Sequence, residues 1–182
     1  DKTIYWYLPT PYGSTDYFNP CTTFTPVSTP LNYCGFQNAR SGIAYMGFVT
    51  YGKIQSPVVD YREYLGAKLK QQMKNNQFYC VTYYVSLAEV SRYATANIGV
   101  IFSKDSILNI TPFPPAQPII MNPSYENTIP IIDTLNWGQI QGTYFANGTE
   151  RFITIGNFRT DATTTNTLVK PLDTNLTDGA GI

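Results

Sequence analysis

The sequence predicts an all-β protein, an antiparallel β-sandwich of jelly-roll type with a long N-terminal loop and at most one short helix. Three observations predict it. Short segments that alternate bulky and polar residues recur between turn signals. Gly, Pro, Asn, Ser and Thr punctuate the chain at spacings that suit Greek-key connections. Helical periodicity is nearly absent. The 182 residues read as a single domain, 1–182, large enough for a real core.

The elements follow in order. "TIYWYLPTPYG" opens as an aromatic run and breaks at Pro9 and Pro11. Residues 9–38 carry Pro, Gly, Asn, Ser and Thr throughout and read as a long ordered loop covering one end of the fold. "GIAYMGFVTYG" (42–52) is a strand candidate. In "YREYLGAKLKQQM" (61–73), Leu65, Ala67 and Leu69 alternate with Gly66, Lys68 and Lys70, which favours a strand with one solvated face; a helix is the rival. "NNQ" (75–77) makes a turn. "FYCVTYYVS" (78–86) is the clearest strand, with Tyr79, Val81, Tyr83 and Val85 on one face and Cys80 read as a small buried hydrophobe. Ser86 and Glu89 fit a capping box, so a turn or two of helix is expected there. "IGVIFS" (98–103) is a strand again. The runs "PIIM" and "IPII" within 104–136 read as short edge strands or bridges. "TYFANGTERFITIGNF" (143–158) alternates, stops at Asn147-Gly148, and alternates again. It reads as a β-hairpin whose Asn-Gly supplies a primed turn, with Ile140, Gly142 and Tyr144 on one face and Ile153 and Ile155 on the inner face of the return strand. The tail, 159–182, is rich in Thr, Asp and Gly and holds one short strand candidate, Thr167–Lys170.

Composition narrows the function. Charged residues make up 13%, about half the usual share, so Thr, Asn, Ser, Gln and 15 Tyr must supply the polar surface. Such a surface suits an exported protein that meets neutral polymers or other proteins. Twelve basic and twelve acidic residues cancel, which argues against a nucleic-acid binder held by phosphate contacts. No apolar run reaches the length of a membrane span. A Cys21–Cys34 bridge would close a short loop and add about 3 kcal/mol, while the other pairings and three free thiols stay open.

The chain has no His, which excludes Ser-His-Asp and Cys-His catalysis in their ordinary forms and His-ligated zinc. Glycoside hydrolysis needs only two carboxylates, but Glu63, Glu89, Glu126, Glu150 and the eight Asp show no paired spacing along one strand. A protein without catalytic function is therefore expected. Asp173, Asn175 and Asp178 offer oxygen ligands for a structural calcium, one residue out of EF-hand spacing; an Asx-rich turn in the tail is the favoured reading of them. Loop aromatics are candidate sugar-stacking platforms, Tyr12, Tyr17 and Trp137 foremost, or else they pack the loop onto the sandwich. Tyr61, Arg62 and Glu63 read either as the lining of a polar groove or as a solvated strand face. Asn147 begins an Asn-Gly-Thr glycosylation sequon.

Several stretches carry a resemblance in a fixed order: "PTPYGSTDYFNPC" (9–21), "GFQNARSGIAYMGF" (35–48), "YREYLGAKL" (61–69), "YCVTYYVSLAEVSRYATANIGVIFS" (79–103) and "WGQIQGTYFANGTERFITIGNF" (137–158). Together they resemble jelly-roll domains of secreted and surface proteins of Bacteroidota. Those domains are similar to galactose-binding-like and carbohydrate-binding-module sandwiches and precede OmpA-like or gliding-motility and type IX sorting domains. The resemblance spans roughly residues 6–170. It implies an extracellular or cell-surface location. The family's opening Asn-x-Ser-Phe-Glu-like strand and closing Ile-Asp-Asp-Val-like strand are absent here. That implies missing terminal strands, an edge open to other copies or surface proteins, and a calcium site in question. The phylum's O-glycosylation pattern matches Asp105-Ser106-Ile107 and Asp133-Thr134-Leu135, which makes Ser106 and Thr134 candidates. The expected function is a surface module that recognises a glycan or other surface polymer. The alternatives are a structural assembly or adhesion module that binds proteins through strand edges, and a glycoside hydrolase.

Overall fold

The computed structural model describes residues 5–10, 13–52, 60–109, 118–170 and 179–181. These residues form fifteen strands and two single 3-10 turns, and no longer helix occurs among them. In chain order the strands are β1 (Trp6–Tyr7), β2 (Asp16–Phe18), β3 (Leu31–Asn32), β4 (Gly35–Phe36), β5 (Tyr45–Gly47), β6 (Val49–Gly52), β7 (Tyr64–Lys68) and β8 (Gln77–Val85). They continue with β9 (Tyr93–Thr95), β10 (Ile98–Ser103), β11 (Tyr125–Glu126), β12 (Gly138–Ala146), β13 (Phe152–Asn157), β14 (Asn166–Leu168) and β15 (Gly179–Gly181). The fold is all-β, with several antiparallel sheets, none of them closed among the described residues.

The main sheet has five strands in the order β1-β7-β13-β10-β11. Its central register aligns Leu65, Ile155 and Val100 across β7, β13 and β10. Side chains alternate across a strand, so these residues share one face and Tyr64 and Ile101 take the other. On the first face, Leu65 and Ile98 pack with Phe48 and with Val85 and Ile140 of the β12–β8 ribbon. Phe102 and Tyr144 extend the contact, their rings 4.8 Å apart. On the second face, Tyr64 and Ile101 pack with Ile119 and Phe158. The Tyr64 hydroxyl donates to the Asn157 carbonyl and accepts from the Ile119 amide, both at 2.8 Å, so its burial leaves no polar group unpaired. Part of the tyrosine surplus has a structural use. The rings of Tyr7, Tyr64 and Tyr125 lie where side chains at Gly66, Gly156 and Gly142 would otherwise stand.

Most strand expectations hold: 42–52 forms β5 and β6, 64–68 forms β7, 77–85 forms β8 with the predicted inward face, and 98–103 forms β10. Six readings are corrected. The first is the hairpin. β12 and β13 do not pair; β12 pairs with β8 across nine positions, and β13 lies between β7 and β10. The Asn147-Gly148 turn is an arch that carries the chain from the ribbon to the sheet. Only Gly148 has positive φ, at 85°, so a primed two-residue turn is not formed. Glu150, 1% exposed, holds the arch by accepting from the Asn147 and Gly148 amides and the Tyr144 hydroxyl.

The second correction concerns 9–38, which contains β2, β3 and β4 and is no single loop. Third, no helix follows Ser86. Its hydroxyl donates to the Gln37 side chain, and Glu89 accepts from the Phe36 amide, so both capping groups are committed to distant partners. Fourth, residues 61–67 are all buried, because β7 has strands on both sides and packing on both faces. Fifth, Cys80 is exposed on the outer face of β8. Sixth, "PIIM" and "IPII" form no strand. They run as irregular chain beside β11, with the Ile131 amide donating to the Thr95 carbonyl at 3.1 Å.

Candidate functional site

A cleft opens where β2, β5 and the β3–β4 hairpin meet the turn after β8. Its aromatic wall is built by strand pairing. Phe18 stands opposite Tyr45 across β2 and β5, and their rings stack at 5.0 Å. Tyr33 leans on Phe18 from one side at 5.9 Å, and Trp137 meets Tyr45 edge-on from the other at 5.4 Å. Trp137 is fixed by its indole N–H, which donates to the Asn38 carbonyl at 2.8 Å. The hairpin that carries Tyr33 is tightened by Asn32, whose side-chain oxygen accepts from the Cys34 amide at 2.9 Å. At Gly35, with φ at 127°, the backbone passes so close to Glu89 that a side chain there would collide with the carboxylate.

Three of the polar groups are acidic. Asp16 accepts from the Tyr33 hydroxyl at 2.6 Å. Glu89 accepts from the Phe36 amide at 3.1 Å. Glu63, at the inner end, accepts from the Ser14 amide and hydroxyl, the Tyr61 hydroxyl and the Val49 amide, at 2.6 to 3.0 Å. Burial raises the Asp16 carboxyl above the ordinary aspartate range; the Tyr33 hydrogen bond opposes this and the Glu63 charge adds to it. Burial also pushes the Cys34 thiol up to about 11, with the charges of Asp16 and Glu63 acting in the same direction against the Tyr33 hydrogen bond. That thiol is protonated at neutral pH and is a poor nucleophile.

The predicted site residues scatter. Trp137, Glu63, Thr134 and Cys34 line the cleft together. Tyr17 points away from it, as its place between Asp16 and Phe18 on β2 requires. It lines a second groove with Trp6, Tyr7 and Leu8. Tyr61 and Arg62 are buried, at 8% and 0% exposure, and line no polar groove. Arg62 pairs with Asp161 at 2.8 Å, which ties the 3-10 turn Asp161–Thr163 to the start of β7. The expected Cys21–Cys34 bridge is absent, and both thiols are free. Cys34 turns into the cleft from the β3–β4 hairpin, while Cys21 sits exposed in a separate turn capped by the Asn19 side chain. Ser106 and Asn147 are exposed, and Asn147 accepts from the amide and hydroxyl of Thr149. Tyr12 and the calcium candidates Asp173, Asn175 and Asp178 lie outside the described residues.

Sequence reasoning missed Asp16, Tyr45 and Gln37, and assigned Glu89 to a helix cap. A signal for Asp16 was present: it alternates with Phe18 on a three-residue strand, so the two must share a face. Among the described residues no three His, Cys, Asp or Glu side chains are grouped to hold a metal, and no helix is long and apolar enough to cross a membrane. Compared with protein-family models, curated proteins and solved structures, the chain has no match.

Proposed function

We propose that this protein is a non-catalytic binding module, exported to the cell surface, whose cleft takes a glycan unit of a surface polymer. The observation that carries the reading is the aromatic wall of the cleft: Trp137 held edge-on to Tyr45, with the half-exposed Tyr33 and Phe36 beside the side-chain amides of Asn32 and Gln37. Pyranose rings present apolar faces to aromatic rings and hydroxyls to amides and carboxylates, so this mixture suits them. The packing of a ribbon on a five-stranded sheet supports a sandwich of jelly-roll type. With the sequence resemblance, it supports placing the chain among surface jelly rolls of Bacteroidota.

Asp16 and Glu63 share the cleft, which is the arrangement a glycosidase would need. Glu63 is committed to four donors from within the protein, however, three on Oε1 and one on Oε2, which disfavours it as nucleophile or base. A second reading rests on β8 and β12, two nine-residue strands without a charged residue to guard their edges. It predicts self-association that rises with concentration in sedimentation velocity.

The test of the main reading is a glycan array, run with calcium and with chelator. Saturable binding is expected, weakened about tenfold or more by Trp137→Ala and unchanged by Tyr17→Ala, with melting temperature controlling for folding. No binding to any glycan under either condition would overturn it.

A further inference from the structure

The cleft has an uneven charge. Three carboxylates line it, from Asp16, Glu63 and Glu89, and among the described residues no Lys or Arg does. The two basic groups nearby make their contacts with uncharged partners. The Lys170 ammonium donates to the Glu89 backbone carbonyl, and the Arg40 guanidinium lies 3.5 Å from the Tyr84 ring centre. Glu63 accepts four donors from within the protein, three on Oε1 and one on Oε2, whereas Asp16 and Glu89 each accept one donor at the cleft. Both carboxylates border the wall of Tyr33, Phe36, Tyr45 and Trp137. Aromatic faces attract cations, and an ammonium between a ring face and a carboxylate gains from both. Carboxylate or sulfate groups on a ligand would meet repulsion in a partly dry site, where screening is weak. Burial is the main cause of the upward shifts of Asp16 and Cys34, and neighbouring carboxylates add to both.

We propose that the cleft selects glycan units bearing a free ammonium group, as in a glucosamine polymer, and turns away uronate- and sulfate-bearing units. The inference rests on the glycan-binding reading above and adds the class of sugar. Asp16 and Glu89 are the specificity-determining residues, and the aromatic wall supplies the affinity common to all units.

The experiment is calorimetric titration with three oligosaccharides of equal length: glucosamine, N-acetylglucosamine and galacturonate, at low and high salt, with the amine protonated. The glucosamine oligomer is expected to bind about tenfold more tightly than its acetylated counterpart. Salt should narrow the gap, and galacturonate should bind weakest. Asp16→Asn and Glu89→Gln should each reduce the ratio of affinity for the amine to affinity for the acetylated oligomer; two variants guard against misfolding of one. Equal binding of the amine and its acetylated form, or tighter binding of galacturonate, would overturn the charge selection and leave the glycan reading intact. Failure of all three oligomers here and of every glycan on the array would overturn both.

Discussion

Single residues decide whether buried polar groups stabilise or burden this fold. Glu150 is the clearest case. Burial alone would raise its pKa, but the Asn147 amide, the Tyr144 hydroxyl and the Gly148 amide more than reverse this and hold it below the ordinary glutamate value. A carboxyl depressed in the folded state contributes stability that is present above its unfolded value and is lost as pH falls through the folded one. Glu150→Gln is therefore expected to cost about 1–3 kcal/mol at neutral pH by urea unfolding. The gap should close below the ordinary value of 4.5; a gap independent of pH would mean that the charge plays no part. The cysteines give a second test. Cys21 and Cys80 are exposed and Cys34 is half-buried with a raised pKa. A thiol reagent at neutral pH should modify two positions quickly and the third slowly, and fewer than three reactive thiols after unfolding would reveal a bridge.

At the scale of elements, the arch between β12 and β13 matters most. Strong alternation on both sides of Asn-Gly satisfies every local criterion for a hairpin, yet each strand finds a different partner. Nine cross-strand positions with β8 compete with a local pairing, and the buried Glu150 fits an arch. The register places Thr143 opposite Cys80. Opposite residues in antiparallel strands have Cα atoms about 5 Å apart. A Thr143→Cys variant should therefore cross-link to Cys80 with a short bifunctional thiol reagent, and a Thr149→Cys control should not. Cross-linking of neither variant would argue against the β12–β8 ribbon.

For the whole molecule, the five-stranded sheet is packed on both faces, which explains why β7 lacks the solvated side that its lysines suggested. Closure at one end depends on Arg62, fully buried and paired with Asp161, with Asp60 and Asp161 exchanging backbone-to-carboxylate hydrogen bonds. Removing one partner of such a pair leaves a buried charge uncompensated. Asp161→Ala should cost about 3 kcal/mol, the low end of the usual range because Asp161 retains some solvent contact. Adding Arg62→Met to that variant should recover part of the loss in the same unfolding measurement. A loss in the double variant equal to the sum of the two singles would show that the pair is not coupled.

By itself the sequence determined the all-β class, the positions of the longer strands, the inward face of β8, and the lack of histidine chemistry. These follow from side-chain period and residue type, which act over a few neighbouring positions. It also pointed to Trp137 as a loop aromatic and a candidate for stacking on a sugar. Only the tertiary structure decided which strands pair, where Glu63 and Arg62 are buried, and that Asp16, Tyr33, Glu89 and Trp137 meet at one cleft. Those outcomes depend on contacts between residues far apart in the chain, such as Phe36 with Glu89 and Trp137 with Asn38. No local pattern encodes such contacts, because their free energy appears only once both sheet faces are covered.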